Sequence, residues 1–300
     1  MKIIQPRQIN YEAGLISTNV SETEYEVYDE YTPYAAGDKV VVLNAYHRVY
    51  EALAPVTGVF PPDISHNDQI VWLDLGPTNR YGMFDGQAGT ETRRADMIDV
   101  VIQPPAQVDS VAFFGLVADQ VKVSVLESQP VVGDVVIYEK TINLLLPSDN
   151  PLEATQRLSD TAVFNLPAVP GMKLRVEVSI ASGDAVCGLV LPGVARELGV
   201  TQAGSSVGII DYSRKETDQF GRPLIVKRRF SKRANFNLVM RNEIVDMVHR
   251  TLANYRAEPV AWVGAESLQS TIIYGWYRDF DIVISGPSVS TCSLVIEGLN

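Results

Sequence analysis

The sequence predicts a mainly β protein in three segments. These are a small N-terminal β module over 1–103, a central jelly-roll-like β-sandwich over 104–203, and a C-terminal antiparallel sheet with one helix over 204–300. Three observations predict it. Pro and Gly interrupt the chain about every ten to fifteen residues, the spacing of many short strands. The runs between them are rich in Val, Ile and Tyr, which suit a pleated, half-buried surface. Only one window changes to a helical period.

In the first segment, "DKVVVLNAYHRVYEAL" reads as a hairpin, with strands Lys39–Leu43 and His47–Leu53 around an Asn44-Ala45 turn. The Pro104-Pro105 pair ends that segment, because proline donates no ladder hydrogen bond. In the second, "QVKVSVLES" alternates, with Val121, Val123 and Val125 on one face and Lys122, Ser124 and Glu127 toward water. "DVVIYEKTINLLL" is a further strand. In "MKLRVEVSIAS", Leu174, Val176, Val178 and Ile180 share a face opposite Lys173, Arg175 and Glu177. "AVCGLVLPG" is apolar throughout and reads as a buried strand, and the Gly/Ser-rich "ARELGVTQAGSSVGIIDYS" reads as a linker.

The third segment opens with "PLIVKRRFSKRANFNLVM", predicted as one long strand with Leu224, Val226, Phe230, Phe236, Leu238 and Met240 on one side. "NEIVDMVHRTLANYRA" then places Ile244, Val248, Leu252 and Tyr255 on one helical stripe. Asn242 is its expected N-cap, and Pro259 lies beyond its end. Strands follow at "PVAWVG", "STIIYGWYRDFDIVI" and "STCSLVIEGL".

Composition narrows the function classes. The chain is 46% hydrophobic and 20% charged, with a net charge of -11, so its surface as a whole repels nucleic acid and anionic membranes. No run reaches the roughly 18 apolar residues of a membrane span. The opening "MKIIQPRQINYEAG" is unlike a secretory signal, so synthesis in a cytosol is expected. Cys187 and Cys292 sit in apolar runs and read as reduced core residues. His47, His66 and His249 are scattered, and no CxxC or HExxH motif accompanies them, so no metal or other cofactor is expected. Neither a phosphate-binding glycine motif nor a GxSxG elbow occurs, and no carboxylate pair stands out for glycoside hydrolysis, so no catalytic residue is assigned.

Two features remain as candidate sites. Between Arg214 and Arg233 lie eight basic residues, a strong asymmetry in an acidic chain. This run reads as a nucleic-acid surface, a solvated strand face or a protein interface. The acidic total opposes the first, and the interface is favoured, with Lys227, Arg228, Arg229, Lys232 and Arg233 as its candidates. The first hundred residues are dense in aromatics, which serve either as module core or as stacking platforms for sugars. Tyr34, Tyr50, Trp72 and Tyr81 are the candidate sugar contacts. The stretch "WLDLGPTNRYGMFDG" between them reads as a strap joining module to sandwich. In it Gly76-Pro77 turn the chain, Asn79 bonds loop backbone, Arg80 pairs with Asp85 or Asp74, and Trp72, Met83 and Phe84 pack the loop onto the module.

Two resemblances add to this. "YTPYAAGDKVVVLNAYHRVYEAL" followed by "PPD" and a Trp resembles the small chitin-binding-type carbohydrate modules of bacterial hydrolases. The matching positions are Tyr31, Tyr34, Gly37, Asp38, Val40, Tyr50, Glu51, Ala52, Pro62 and Trp72; after Ala52 the chain carries Leu53-Ala54-Pro55 where those modules carry exposed tryptophans. More broadly, "WLDLGPTNRYGMFD", "GIIDYSRKETDQFGRPLIVKRRFSKR", "LANYRAEPVAWVG", "IIYGWYRDFDIVI" and "CSLVIEGL" together resemble structural proteins of tailed bacteriophages and their prophage copies. That resemblance implies a non-enzymatic virion component of the tail or baseplate, built in the bacterial host cytoplasm. Other tail or baseplate proteins and further copies of the chain are the implied partners, with neither nucleic-acid binding nor membrane insertion. A host-surface glycan adhesin is the alternative.

Overall fold

The computed structural model describes all residues except 10–13, 44–45, 63–64, 67–68, 131–132, 148–154, 218 and 300. The chain is mainly β, with 55% strand and 7% helix, as its punctuation and alternation predict. It runs through β1 (Lys2–Pro6), β2 (Leu15–Thr18), β3 (Lys39–Val42) and β4 (Arg48–Ala52). The short pair β5 (Ser65–His66) and β6 (Gln69–Ile70) leads to β7 (Trp72–Pro77) and a 3-10 turn at Gly82–Phe84. The middle holds β8 (Thr92–Ile102), β9 (Ser110–Phe114), β10 (Gln120–Gln129), β11 (Gly133–Asn143), β12 (Thr161–Phe164), β13 (Lys173–Cys187) and β14 (Leu189–Glu197). Next come β15 (Val200–Thr201), β16 (Ser206–Asp211), β17 (Arg214–Thr217), β18 (Pro223–Val226) and β19 (Phe230–Arg241). Helix α1 (Val245–Asn254) precedes β20 (Val260–Val263), β21 (Ile272–Val283) and β22 (Val289–Gly298).

Two large sheets form the body. A ten-stranded sheet has the order β12-β9-β14-β1-β20-β21-β22-β19-β15, with β16 also on β19. A five-stranded sheet has the order β11-β10-β13-β8-β2. The two meet across a core in which Val121, Val123 and Val125 of β10 and Leu174, Val176 and Val178 of β13 join Val111, Phe113 and Val163 of the larger sheet. This is the sandwich read from alternation, since a period of two puts every second side chain on one face. Ser124 was expected toward water and is buried. It lies between Glu139 and Arg175 on the flanking strands, whose longer side chains shield it.

Strand pairing crosses the expected segment limits at 103 and 203. β1 is hydrogen-bonded on one side to β14 of the middle segment and on the other to β20 of the last, with Lys2 opposite both Glu197 and Val263. β8, from the first segment, lies between β13 and β2 in the five-stranded sheet. Ile3 and Ile4 face opposite cores, one beneath the helix and one on the other side of the sheet. The compact part of the first segment is the three-stranded sheet β3-β4-β7, with its own core of Val40, Val42, Tyr50, Ala52, Val56, Val71 and Trp72. The predicted hairpin forms as β3 and β4, while its Asn44-Ala45 turn lies outside the described residues.

Helix α1 covers the C-terminal half of the large sheet. Val248 and Leu252 sit with Phe236, Leu238, Trp262 and Ile273, the stripe that the sequence predicts. Asn242 does not cap it. The helix is entered through a 3-10 turn beginning at Asn242, whose amide group instead bonds the Gly286 carbonyl at 2.9 Å and the Ser290 hydroxyl at 2.6 Å. Gly275 lets β21 pass close to β22: a Cβ there would strike the Glu297 carbonyl oxygen. Its own carbonyl accepts the Trp262 indole N–H at 2.8 Å in the core.

Both cysteines are free and buried. Burial pushes the Cys187 thiol up to about 12 and the Cys292 thiol up to about 11. Because the thiolate is the reactive form, neither should react with iodoacetamide at pH 8 until the fold is opened with denaturant. Mass spectrometry before and after denaturation checks this, and rapid labelling of the native chain would contradict it.

Candidate functional site

The long strand predicted from Pro223 to Met240 is in fact two. β19 pairs with β22 and β16, and it buries Phe236, Leu238 and Met240. β18 leaves the sheet and pairs with β17 as a separate two-stranded hairpin. Leu224 and Val226, expected on the buried face, are therefore exposed, and so is Phe230 at the start of β19. The reason is topological. With β17 as its partner, β18 has no second sheet to pack against, and its one-sided pattern finds no core.

Short bonds at the root set the direction of this arm. The Ser213 amide donates to Asp211 Oδ1 at 2.9 Å, and Lys215 Nζ reaches Asp211 Oδ2 at 3.1 Å. The Ser213 hydroxyl and amide, aided by Lys215, hold the Asp211 carboxyl down at about 2. The Arg228 amide donates to Ser213 Oγ at 3.1 Å, and Tyr212 Oη lies 3.0 Å from Ser231 Oγ. Asx and Ser turns of this kind give the backbone an alternative to the ladder, and here they bend the hairpin where β16 passes into β17.

Every described residue from Arg214 to Phe230 is exposed. Phe220 is 75% exposed, Ile225 67% and Leu224 54%. Neighbouring β16 exposes Val207 and Ile209 as well. Neighbouring strand residues point to opposite faces, so Leu224 and Ile225 put aliphatic side chains on both sides of the arm. The hairpin thus carries exposed apolar side chains on both of its faces. Six basic residues from Arg214 to Arg229 are interleaved with this apolar surface.

The structure divides the five predicted basic residues. Lys227, Arg228 and Arg229 lie exposed in the segment between β18 and β19, and Arg233 is exposed opposite Glu297 of β22. Lys232 turns inward. It pairs with Asp160 and donates to the carbonyls of Ile272 at 3.2 Å and Gln269 at 3.4 Å. Asp160 also accepts the Gly115 amide at 3.1 Å. This pair lies in a cleft of about 310 Å³ at the arm's root, lined also by Phe114, Leu189, Phe230 and Tyr274. Burial, then the charge of Asp85, pushes the Tyr274 phenol up to about 12, so it stays a neutral donor to the Gly86 carbonyl at 2.7 Å. The cleft's charged groups thus satisfy one another.

The candidate sugar contacts are placed differently from their prediction. Tyr50, Trp72 and Tyr81 are buried, and only Tyr34 is partly exposed. Trp72 donates its indole N–H to the Val59 carbonyl at 3.0 Å, with Tyr28 and Tyr34 edge-on to it. Tyr81, Met83 and Phe84 pack into the sandwich core. The strap therefore spans two cores, with Trp72 in one and Phe84 in the other. A ring enclosed on both faces offers nothing to a sugar, so Tyr50, Trp72 and Tyr81 serve as packing.

Arg80 also differs from expectation. It pairs with Glu22 at 2.9 Å and donates to the Val20 carbonyl, while Asp74 pairs with Arg48 and Asp85 accepts from Gln87 and Thr90. Asn79 does bond backbone, spanning the amide and carbonyl of Arg93. One signal in the sequence points to the arm itself. "QFGRP" stands where one short β-prone run gives way to the next, and its Gly and Pro mark a hairpin.

Among the described residues, no group of three or more His, Cys, Asp or Glu side chains could hold a metal ion. Among the described residues, too, no helix is long and apolar enough to cross a membrane. No protein-family model matches the chain, and no curated protein matches it in sequence.

Proposed function

We propose that this chain is a non-enzymatic structural subunit of a bacteriophage tail or baseplate, joined to its neighbours through the β17–β18 arm and carried in the virion. The observation that carries this reading is the arm: a braced hairpin with large apolar side chains on both faces and basic residues between them. Burying Leu224, Ile225 and Val226 against a neighbour would contribute on the order of 1.5–3 kcal/mol each before the cost of association. The basic residues would steer an acidic partner into register. The internal pairing of Lys232 with Asp160 suits a structural role for the cleft, and the resemblance of the sequence to tailed-phage structural proteins supplies the assembly.

The test is the triple variant Lys227→Glu, Arg228→Glu, Arg229→Glu. All three side chains are exposed, so the purified chain should melt within a degree or two of wild type. Its incorporation into particles should fall at least tenfold. Incorporation at the wild-type level would overturn the proposal. Lys232 is left intact because it holds Asp160, and Arg233 because a Glu there would face Glu297.

A further inference from the structure

We infer that the arm's partner is a second copy of this chain, and that its receiver is the strip Glu24–Tyr31; this rests on the assembly reading above. The strip lies along the outer edge of the small module. The Tyr28 amide donates to the Val41 carbonyl, and the Val41 amide donates to the Glu26 carbonyl, both at 2.9 Å. In this parallel bridge of Val27 with Val41, the peptide groups of Val27 itself face away from β3. At Val27 the strip is thus open on its far side, while the Asp29 amide is held by Tyr34 Oη at 2.8 Å. Among the described residues β17 and β18 pair only with each other, so the arm also has open edges. An open edge of the arm can add to the strip at Val27.

The side chains on the two surfaces are complementary. Between Ser21 and Tyr31 the chain has five carboxylates and no basic residue. Glu22 turns inward to His47, Thr78 and Arg80. Glu24, Glu26, Asp29 and Glu30 are exposed. Between them Tyr31 is 81% exposed, Val27 52% and Tyr25 41%. The strip is therefore acidic and aromatic where the arm is basic and aliphatic. Glu24 accepts the Asn79 amide, and Asp29 accepts the Tyr31 amide and the Thr32 hydroxyl, so the arm's guanidinium and ammonium groups would lie against Glu26 and Glu30. Since both surfaces are exposed in one copy, neither fills the other. Arm on strip is a heterologous contact, so successive copies join head to tail and close into a ring or run on as a filament.

Sedimentation velocity on the full chain tests this. Wild type should self-associate with rising concentration at about 50 mM salt and revert to monomer near 500 mM, where screening is strong. The strip variant Glu26→Lys/Glu30→Lys and the arm variant Arg228→Glu/Arg229→Glu should each dissociate at least tenfold more readily, with unchanged melting. Mixed together, the two variants should associate again, because each one's arm now matches the other's strip. A monomeric wild type, a strip variant that associates normally, or a mixture that stays monomeric would each overturn the inference. Particle incorporation separates the two readings. If the arm variant is excluded while the strip variant enters normally, the assembly role stands and self-docking falls.

Discussion

Trp72→Ala is expected to cost about 3–5 kcal/mol and to unfold the small module selectively. Trp72 is the largest of seven buried residues in that core, and it is only 1% exposed. Its indole reaches the Val59 carbonyl and packs edge-on against both Tyr28 and Tyr34. A core this small cannot absorb a cavity by repacking, because few neighbours are available to move into it. Hydrogen exchange should show the amides of Val40–Val42 and Val49–Ala52 losing protection, while those of Val176 and Val178 in the sandwich keep theirs. Trp72→Phe should cost less, about 1–2 kcal/mol. It retains the ring but leaves the Val59 carbonyl without its donor. If sandwich amides loosened equally, the module would not be a separate cooperative unit, and the two-core reading of the strap would fall with it.

Lys232→Ala should destabilise the body by about 3 kcal/mol, more than any other single change in the basic run. Its side chain ties β19 to Asp160 and to the carbonyls of Gln269 and Ile272 at the start of β21, so removal leaves a mostly buried carboxylate facing an apolar cleft. An uncompensated buried charge costs far more than the pair contributes. The double variant Lys232→Met/Asp160→Asn should therefore lose less stability than the single one. Urea unfolding of wild type, Lys232→Ala and the double variant makes the comparison. A double variant less stable than Lys232→Ala would show that the two side chains act through packing and not through their charges. By contrast, Lys227→Ala and Arg228→Ala should stay within about 0.5 kcal/mol of wild type, as solvated surface positions do.

This contrast between neighbouring basic residues shows how far the sequence could be read. Eight cations in twenty residues draw attention to the segment that holds the arm. Composition could not tell that Lys232 would face Asp160, which lies 72 positions earlier in the chain. The aromatics of the first hundred residues pose the same difficulty. Tyr50 and Trp72 read equally well as core or as platform, because a ring's chemistry is the same in both settings. Only the strands that enclose it decide. Leu224 and Val226 failed in the opposite direction: an apolar alternation that normally marks a buried face was left in solvent, because its hydrogen-bonded neighbour is β17.

The sequence by itself determined the mainly β class, the inward faces of β10 and β13, the β3–β4 hairpin and the stripe of α1. Each of these is a local property: a period of two or 3.6 over adjacent residues, read without knowing what packs above. Tertiary structure alone decided that β1 would bridge β14 and β20, that the strap would root in two cores, and that the arm would stand clear of the sheet. The physical reason is common to all three. Strand pairing is a contest between distant edges, such as Lys2 with Glu197 and Val263, and its outcome depends on every other edge that is free to compete.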